Sequence, residues 1–197
     1  FWFKKFLDEV GHDKARLIMH TAPKDEAGQD LEAILHNVGL IGGEVQLSTT
    51  KVAPQQLNTL YNMADCTINI ADAEGFGLSS LESLSAGTPV INTMTGGLQE
   101  QVTDGEDWFG VGIEPASKAI IGSQQIPWIY EDRVNEEGVV SALKEIHNMG
   151  SERRRQIGLL GAEHARKNYS FSNFEKTWVD LMTNIHEQRG SWENRKQ

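Results

Sequence analysis

Ala73-Glu74-Gly75-Phe76-Gly77-Leu78-Ser79-Ser80-Leu81-Glu82 decides how this chain is read. Two glycines bracket Phe76, and a glutamate stands on either side of the turn they make. Upstream, residues 66–71 (CTINIA) read as a short buried strand. Downstream, residues 78–86 take helical spacing, and residues 87–92 (GTPVIN) read as a loop entering the next strand. Strand, glycine turn, helix, strand is a βαβ unit. Ligands of open parallel sheets bind at the carboxyl ends of the strands. Both glutamates therefore fall where chemistry is expected.

The same period continues in both directions. Apolar spacing predicts helices over 1–11, 29–38, 54–64 and 98–102, and strands over 15–20 (ARLIMH), 45–48, 89–93 and 111–113. Pro54 suits a first helical turn, and Gly96-Gly97 reads as a turn. Helix alternating with strand predicts an α/β fold, a Rossmann-like parallel sheet with helices on both faces. Residues 115–134 carry no clear period, and a loop of that length is usually functional or mobile. Residues 135–149, 151–168 and 171–188 then read as C-terminal helices, making 135–197 a helical tail on one domain, 1–197. Asn135 with Gly138, Ser151 with Arg154, and Ser170 with Asn173 complete no capping box.

A length of 197 residues suits one domain with a sizeable core. The net charge of −10 argues against a dedicated nucleic-acid binder. That charge is uneven: residues 1–150 hold 9 Lys and Arg against 22 Asp and Glu, whereas residues 151–197 hold 9 against 6. The basic tail (Arg153, Arg154, Arg155, Arg166, Lys167 and the last few residues) reads as solvated helix faces. A weak contact with an anionic membrane surface or a partner is the other reading. Cys66 is the only cysteine, so neither a disulfide framework nor a thiolate zinc cluster is expected. No apolar run is long enough to span a bilayer, and the short apolar opening at 1–7 is followed by no signal-peptide cleavage pattern. A cytoplasmic location is expected. The chain lacks an initiator Met and reads as a fragment that begins within a helix.

Glu74 lies in a loop just beyond a strand end. An exposed loop carboxylate is often only solvated, yet loops at this edge carry function disproportionately. Gly75 and Gly77 let backbone N–H groups approach a ligand, and the following helix start adds partial positive charge. Glu82, further along that helix, is either a surface residue or a carboxylate gripping a ribose diol. Gly96 and Gly97 are either an ordinary turn or a second ligand-facing loop, with Thr95, Gln99 and Glu100 as further polar candidates. His20 ends a strand on the same edge, where it touches ligand or merely caps the strand. Lys51 follows strand 45–48 and meets solvent, a phosphate or a base edge. The other histidines lack metal-ligand spacing. Ser79 and Ser80 lack His and Asp partners and a nucleophile-elbow pattern, so a serine hydrolase is excluded.

The run 57–102 (LNTLYNMADCTINIADAEGFGLSSLESLSAGTPVINTMTGGLQEQV) resembles the carboxyl-terminal, donor-binding domain of GT-B glycosyltransferases of the family-4, retaining kind. The resemblance is carried by Leu60-Tyr61-Asn62 with Ala64-Asp65, the Glu74-Gly-Phe-Gly-Leu turn, Glu82, Ala86-Gly87-Thr88-Pro89-Val90, and Gly96-Gly97 with Glu100. It implies one half of a GT-B fold. It also implies transfer of a hexose, with retention, from a UDP- or GDP-type sugar to a glycan or other acceptor, without metal or cofactor. Glu74 would be the catalytic residue facing the donor hexose. Backbone amides around Gly75, Phe76, Gly77 and Leu78 would hold sugar hydroxyls and the diphosphate, with Gly96 and Gly97 beside them. Glu82 would bind the ribose, and Lys51 and Val52 would edge the base; His20, by its place at a strand end, is counted with the donor-binding candidates. Members of the family normally open this domain with a strand and a Gly-Arg…Lys segment and carry a separate amino-terminal acceptor domain. This sequence starts after both, so weak donor binding and no turnover by the chain alone are expected. A GT-B-type nucleotide-sugar epimerase and a non-catalytic nucleotide-sugar-binding module are the competing readings.

Overall fold

The order along the chain is α1 (Trp2–Val10), β1 (Leu17–His20), α2 (Leu31–Val38), β2 (Val45–Ser48), α3 (Pro54–Met63), β3 (Thr67–Asn69), α4 (Leu78–Ser85), β4 (Val90–Thr93), α5 (Leu98–Val102), β5 (Gly110–Ile113), β6 (Ser117–Ile121), β7 (Ile129–Arg133), α6 (Glu136–Asn148), α7 (Ser151–Asn168) and α8 (Phe171–Arg189). These elements come from a computed structural model that describes residues 1–26, 28–191 and 193–194. Two residues of the basic tail, Arg195 and Lys196, lie outside the described residues.

Local chemistry sets the helix ends. The Asp30 side chain accepts the Ala33 N–H at 2.9 Å to start α2. Pro54 opens α3, where the Gln56 side chain accepts the Ala53 N–H at 3.1 Å. Asn135 and Ser170 each accept one N–H, from Gly138 and Asn173, so α6 and α8 carry single caps where the sequence offers no capping box. Helix α7 starts at Ser151 behind Gly150, without a side-chain cap.

The α/β class is as expected: parallel strands with helices packed on both sides. The parallel strands form two ladders. β1 pairs β2 in parallel, and β3-β4-β5 form the second parallel group. The β2–α3–β3 crossover thus carries the chain from one ladder to the other, where a single continuous sheet was expected. All four residues of β4 are buried, as a strand covered on both faces must be. Ile91 on one face joins Phe6 and Leu7 of α1, Val111 and Ile113 of β5, and Val139, Val140, Leu143 and Ile146 of α6. Val90 on the other face joins Leu84 of α4, Val102 of α5, Phe109 and Ala165 of α7.

Residues 115–134 differ from the expected loop. β6 and β7 form an antiparallel hairpin, with Ile120 opposite Tyr130 and Lys118 opposite Asp132. Most of β6 is exposed. A strand pair that buries neither face has no reason to alternate apolar with polar residues, so its sequence shows no period of two.

Candidate functional site

Helix α4 organises the site, and its inward face fixes where it sits. Ser80, Ser83 and Leu84 are buried. Ser80 donates to Asn92 of β4 at 3.0 Å, and Asn92 in turn donates to the Leu98 carbonyl at 3.2 Å. Ser83 donates to Thr67 of β3 at 2.8 Å. Ser80 is thus a structural hydroxyl that ties α4, β4 and α5 together. The other face leaves Leu78, Ser79 and Glu82 exposed. The helix begins at Gly77, in the left-handed region at φ +86°, without a side-chain cap. Gly77 has no side chain, so the residue before the helix offers its first amides no cap of its own.

Two loops meet beside this helix start. One follows β3 and contains Glu74, Gly75, Phe76 and Gly77; the other follows β4 and contains Thr95, Gly96 and Gly97. They touch backbone to backbone: the Gly97 N–H donates to the Glu74 carbonyl at 3.4 Å. A Cβ on Gly96 would lie 1.8 Å from that same carbonyl oxygen. The missing side chains at 96 and 97 thus admit the partner loop. Around Gly75 the space is open, with no atom within 4 Å of a would-be Cβ. Glu74 is half-buried, and its Oε1 accepts the Phe76 N–H at 3.4 Å, which turns the carboxylate over its own loop. The Phe76 ring packs edge-on against Tyr169, centroids 5.8 Å apart.

Glu82 accepts a hydrogen bond from the Tyr61 hydroxyl at 2.8 Å. Burial, and next the Glu82 carboxylate, push the Tyr61 phenol up, so the hydroxyl stays a donor at neutral pH. Tyr61 lies within the motif run but was given no role by its sequence position. His20 and Lys51 sit at the carboxyl end of the other ladder. His20 Nδ1 bonds Ser48 Oγ at 2.9 Å, Lys51 is exposed and Val52 half-buried. The structure thus joins Glu74, Gly75, Phe76, Gly77, Leu78, Gly96 and Gly97 around one contact between two loops, with Glu82 on the same helix. His20, Lys51 and Val52 form a separate group beyond β1 and β2. Gln99 donates to the Gly96 carbonyl at 3.3 Å and so closes its own turn.

The hairpin is tied to both loops. Thr95 Oγ1 donates to Asp132 at 2.7 Å, and this bond, ahead of the nearby Lys118 charge, holds the Asp132 carboxyl below the usual range. The Asp132 N–H donates to the Asp72 carbonyl, and Arg133 pairs with the Asp72 carboxylate at 2.6 Å. Sequence reasoning missed Asp72, Asp132, Arg133 and Gln101. For the first three no signal was present, because ion pairs between distant segments leave no periodic trace. Gln101 had one: it shares the inward face of α5 with Leu98 and Val102, and a polar residue on such a face needs a partner.

The family model for glycosyl transferases group 1 matches residues 25–149 of this chain. A trehalose synthase from Pyrococcus horikoshii is 25% identical over 134 residues, covering 68% of this chain and 27% of that protein. A D-inositol 3-phosphate glycosyltransferase from Acidothermus cellulolyticus is 36% identical over 90 residues, covering 45% of this chain and 20% of that protein. The chain therefore spans about a quarter or less of these curated relatives. Among solved structures, a sucrose-phosphate synthase from Thermosynechococcus elongatus superposes with a TM-score of 0.67 at 19% identity, over 93% of this chain and 42% of that one. A family match over more than half of the residues, together with this fold, leads to one conclusion: the chain belongs to the glycosyl transferases group 1 family and has the α/β fold of a GT-B carboxyl-terminal domain.

Proposed function

We propose that this chain is the donor-binding half of a retaining hexosyltransferase of the family-4 kind, and that it holds a UDP- or GDP-type sugar across the start of α4. The observation that carries this reading is Glu82. Its carboxylate stands on the exposed face of α4, is fixed by the Tyr61 hydroxyl at 2.8 Å, and lies just over one turn past the uncapped helix start. One carboxylate can accept from both hydroxyls of a ribose. The amides of the 75–78 turn and the first turn of α4 then face the diphosphate and the sugar hydroxyls, with Glu74 beside the hexose. When the sugar C1–O bond breaks, its electron pair leaves with the diphosphate, while the acceptor hydroxyl oxygen bonds C1 and its proton passes to the departing phosphate oxygen. The fixed N–H dipoles meet that charge without rearranging, which is where such a site lowers a barrier. On this reading the chemistry needs no metal, and the acceptor, a glycan or another hydroxyl compound, is presented by a part of the protein beyond this chain.

Calorimetry with UDP, GDP and ADP tests this. One nucleotide is expected to bind, and Glu82→Ala is expected to weaken it about tenfold, the worth of a charge-assisted hydrogen-bond pair. Tyr61→Phe is expected to lose less, because it frees the carboxylate without removing it. Equal affinity of wild type and Glu82→Ala for that nucleotide refutes the ribose assignment.

A further inference from the structure

We infer that Gln101 is a positioning residue: from within the core it fixes the direction of the Phe76–Gly77 peptide and thereby aims the Gly77 N–H away from α5. Gln101 is fully buried. Its Nε2 donates to the Phe76 carbonyl oxygen at 2.5 Å. Its Oε1 has no partner among the described residues and lies 3.2 Å from where a Gly77 Cβ would be. Half of a buried amide is thus left unsatisfied, which carries a desolvation cost. An apolar side chain of similar volume would fill the same space between Leu98 and Val102 without that cost. What it could not do is hold the Phe76 carbonyl.

The consequence follows from peptide geometry. The Phe76–Gly77 bond is trans, so its C=O and N–H point in opposite directions. With the carbonyl drawn toward Gln101 of α5, the Gly77 N–H points the other way, away from α5. Gly77 needs this help, because glycine in the left-handed region has few steric limits of its own. The backs of the two neighbouring residues are also set. A Cβ on Gly97 would meet the Gly75 and Phe76 carbonyl oxygens at 2.8 Å, so α5 lies directly behind the turn. The Phe76 ring rests on Tyr169. Phe76 is therefore held at its ring and at its carbonyl, and only the second hold controls the peptide plane. The part of this inference that concerns ligand affinity rests on the nucleotide-sugar reading above; the part that concerns loop order does not.

The test uses Gln101→Met and Gln101→Glu in the same chain, with amide relaxation and thermal melts without ligand, then nucleotide titration. Gln101→Met removes the unsatisfied oxygen and also the bond to the Phe76 carbonyl, so the two effects offset and Tm is expected to change little. The substitution should also lower the backbone order parameters of residues 75–78 from the rigid range near 0.85 toward 0.6 or less, and weaken the bound nucleotide about tenfold. In Gln101→Glu the carboxylate repels the Phe76 carbonyl, so disorder should be greater near neutral pH and fall as acid restores an O–H donor. Unchanged order at 75–78 in Gln101→Met overturns the inference, as does a loss of affinity that only tracks a fall in Tm. If wild type binds none of the nucleotides, the donor reading fails, and the order parameters still decide the role of Gln101.

Discussion

At the residue scale, the glycines around the turn do different work although the sequence presents them alike. Gly96 adopts φ +46° and faces the Glu74 carbonyl at a distance no Cβ tolerates. Gly96→Ala is therefore expected to cost about 2–4 kcal/mol, from backbone strain plus displacement of the Glu74 loop. Urea unfolding measures it, and a loss below about 0.5 kcal/mol would show that the loops separate freely. Glu74, Glu82 and the bracketed turn were legible because residue type and position after a strand suffice to place them at a strand end. The partners of Tyr61 and Gln101 were not legible, because they lie 21 and 25 positions away, although the polar Gln101 on an apolar helix face showed that one was needed. Burial pushes the Cys66 thiol up to about 12, so it stays protonated at neutral pH.

At the scale of elements, helix α1 shows how one end of the chain is fastened. His12, just past its end, bonds both Asp8 within the helix and Glu44 in the turn before β2, at 3.0 and 3.1 Å. The bond to Asp8, and next that to Glu44, raise the imidazole pKa above 6.5. A raised folded pKa contributes stability that is fully present below the unfolded value and is lost as pH rises through the folded one. The carboxylates act in the opposite sense. Lys4 and then His12 lower Asp8, while its own backbone N–H and then His12 lower Glu44, so their contributions are present above about 4.5 and fade in acid. The urea midpoint is thus expected to fall between pH 6 and 8.5, and His12→Asn to flatten that slope; parallel slopes in the two proteins would remove this cluster from the account. The hairpin is the element that pattern reading could not supply. What holds it is not an apolar face but Asp132 on Thr95 and Arg133 on Asp72, contacts defined only once the chain is folded.

At the scale of the whole molecule, helix α8 stands apart. None of its residues is buried, and Phe171, Phe174, Trp178, Met182 and Ile185 line up at helical spacing while remaining exposed. Phe174→Ser and Trp178→Ser are therefore expected to leave the stability of this chain within about 0.5 kcal/mol. The same changes in α6, at Leu143 or Ile146, should cost about 2–5 kcal/mol because those side chains are buried in the core. Thermal melts of the two sets compare them directly, and equal losses would mean that α8 is packed after all. The sequence by itself determined the succession of helices and parallel strands, the strand-end position of the Glu74–Glu82 turn, and the resemblance to a glycosyltransferase domain. Those properties are local, written in periods of 3.6 and 2 and in glycines at turns. Only the tertiary structure decided that the parallel strands divide into two ladders, that residues 117–133 form a hairpin latched to both loops, and that Gln101 stands behind the turn. Each of those depends on which distant backbone and side-chain groups find one another, and a hydrogen bond between remote segments leaves no period in the chain that makes it.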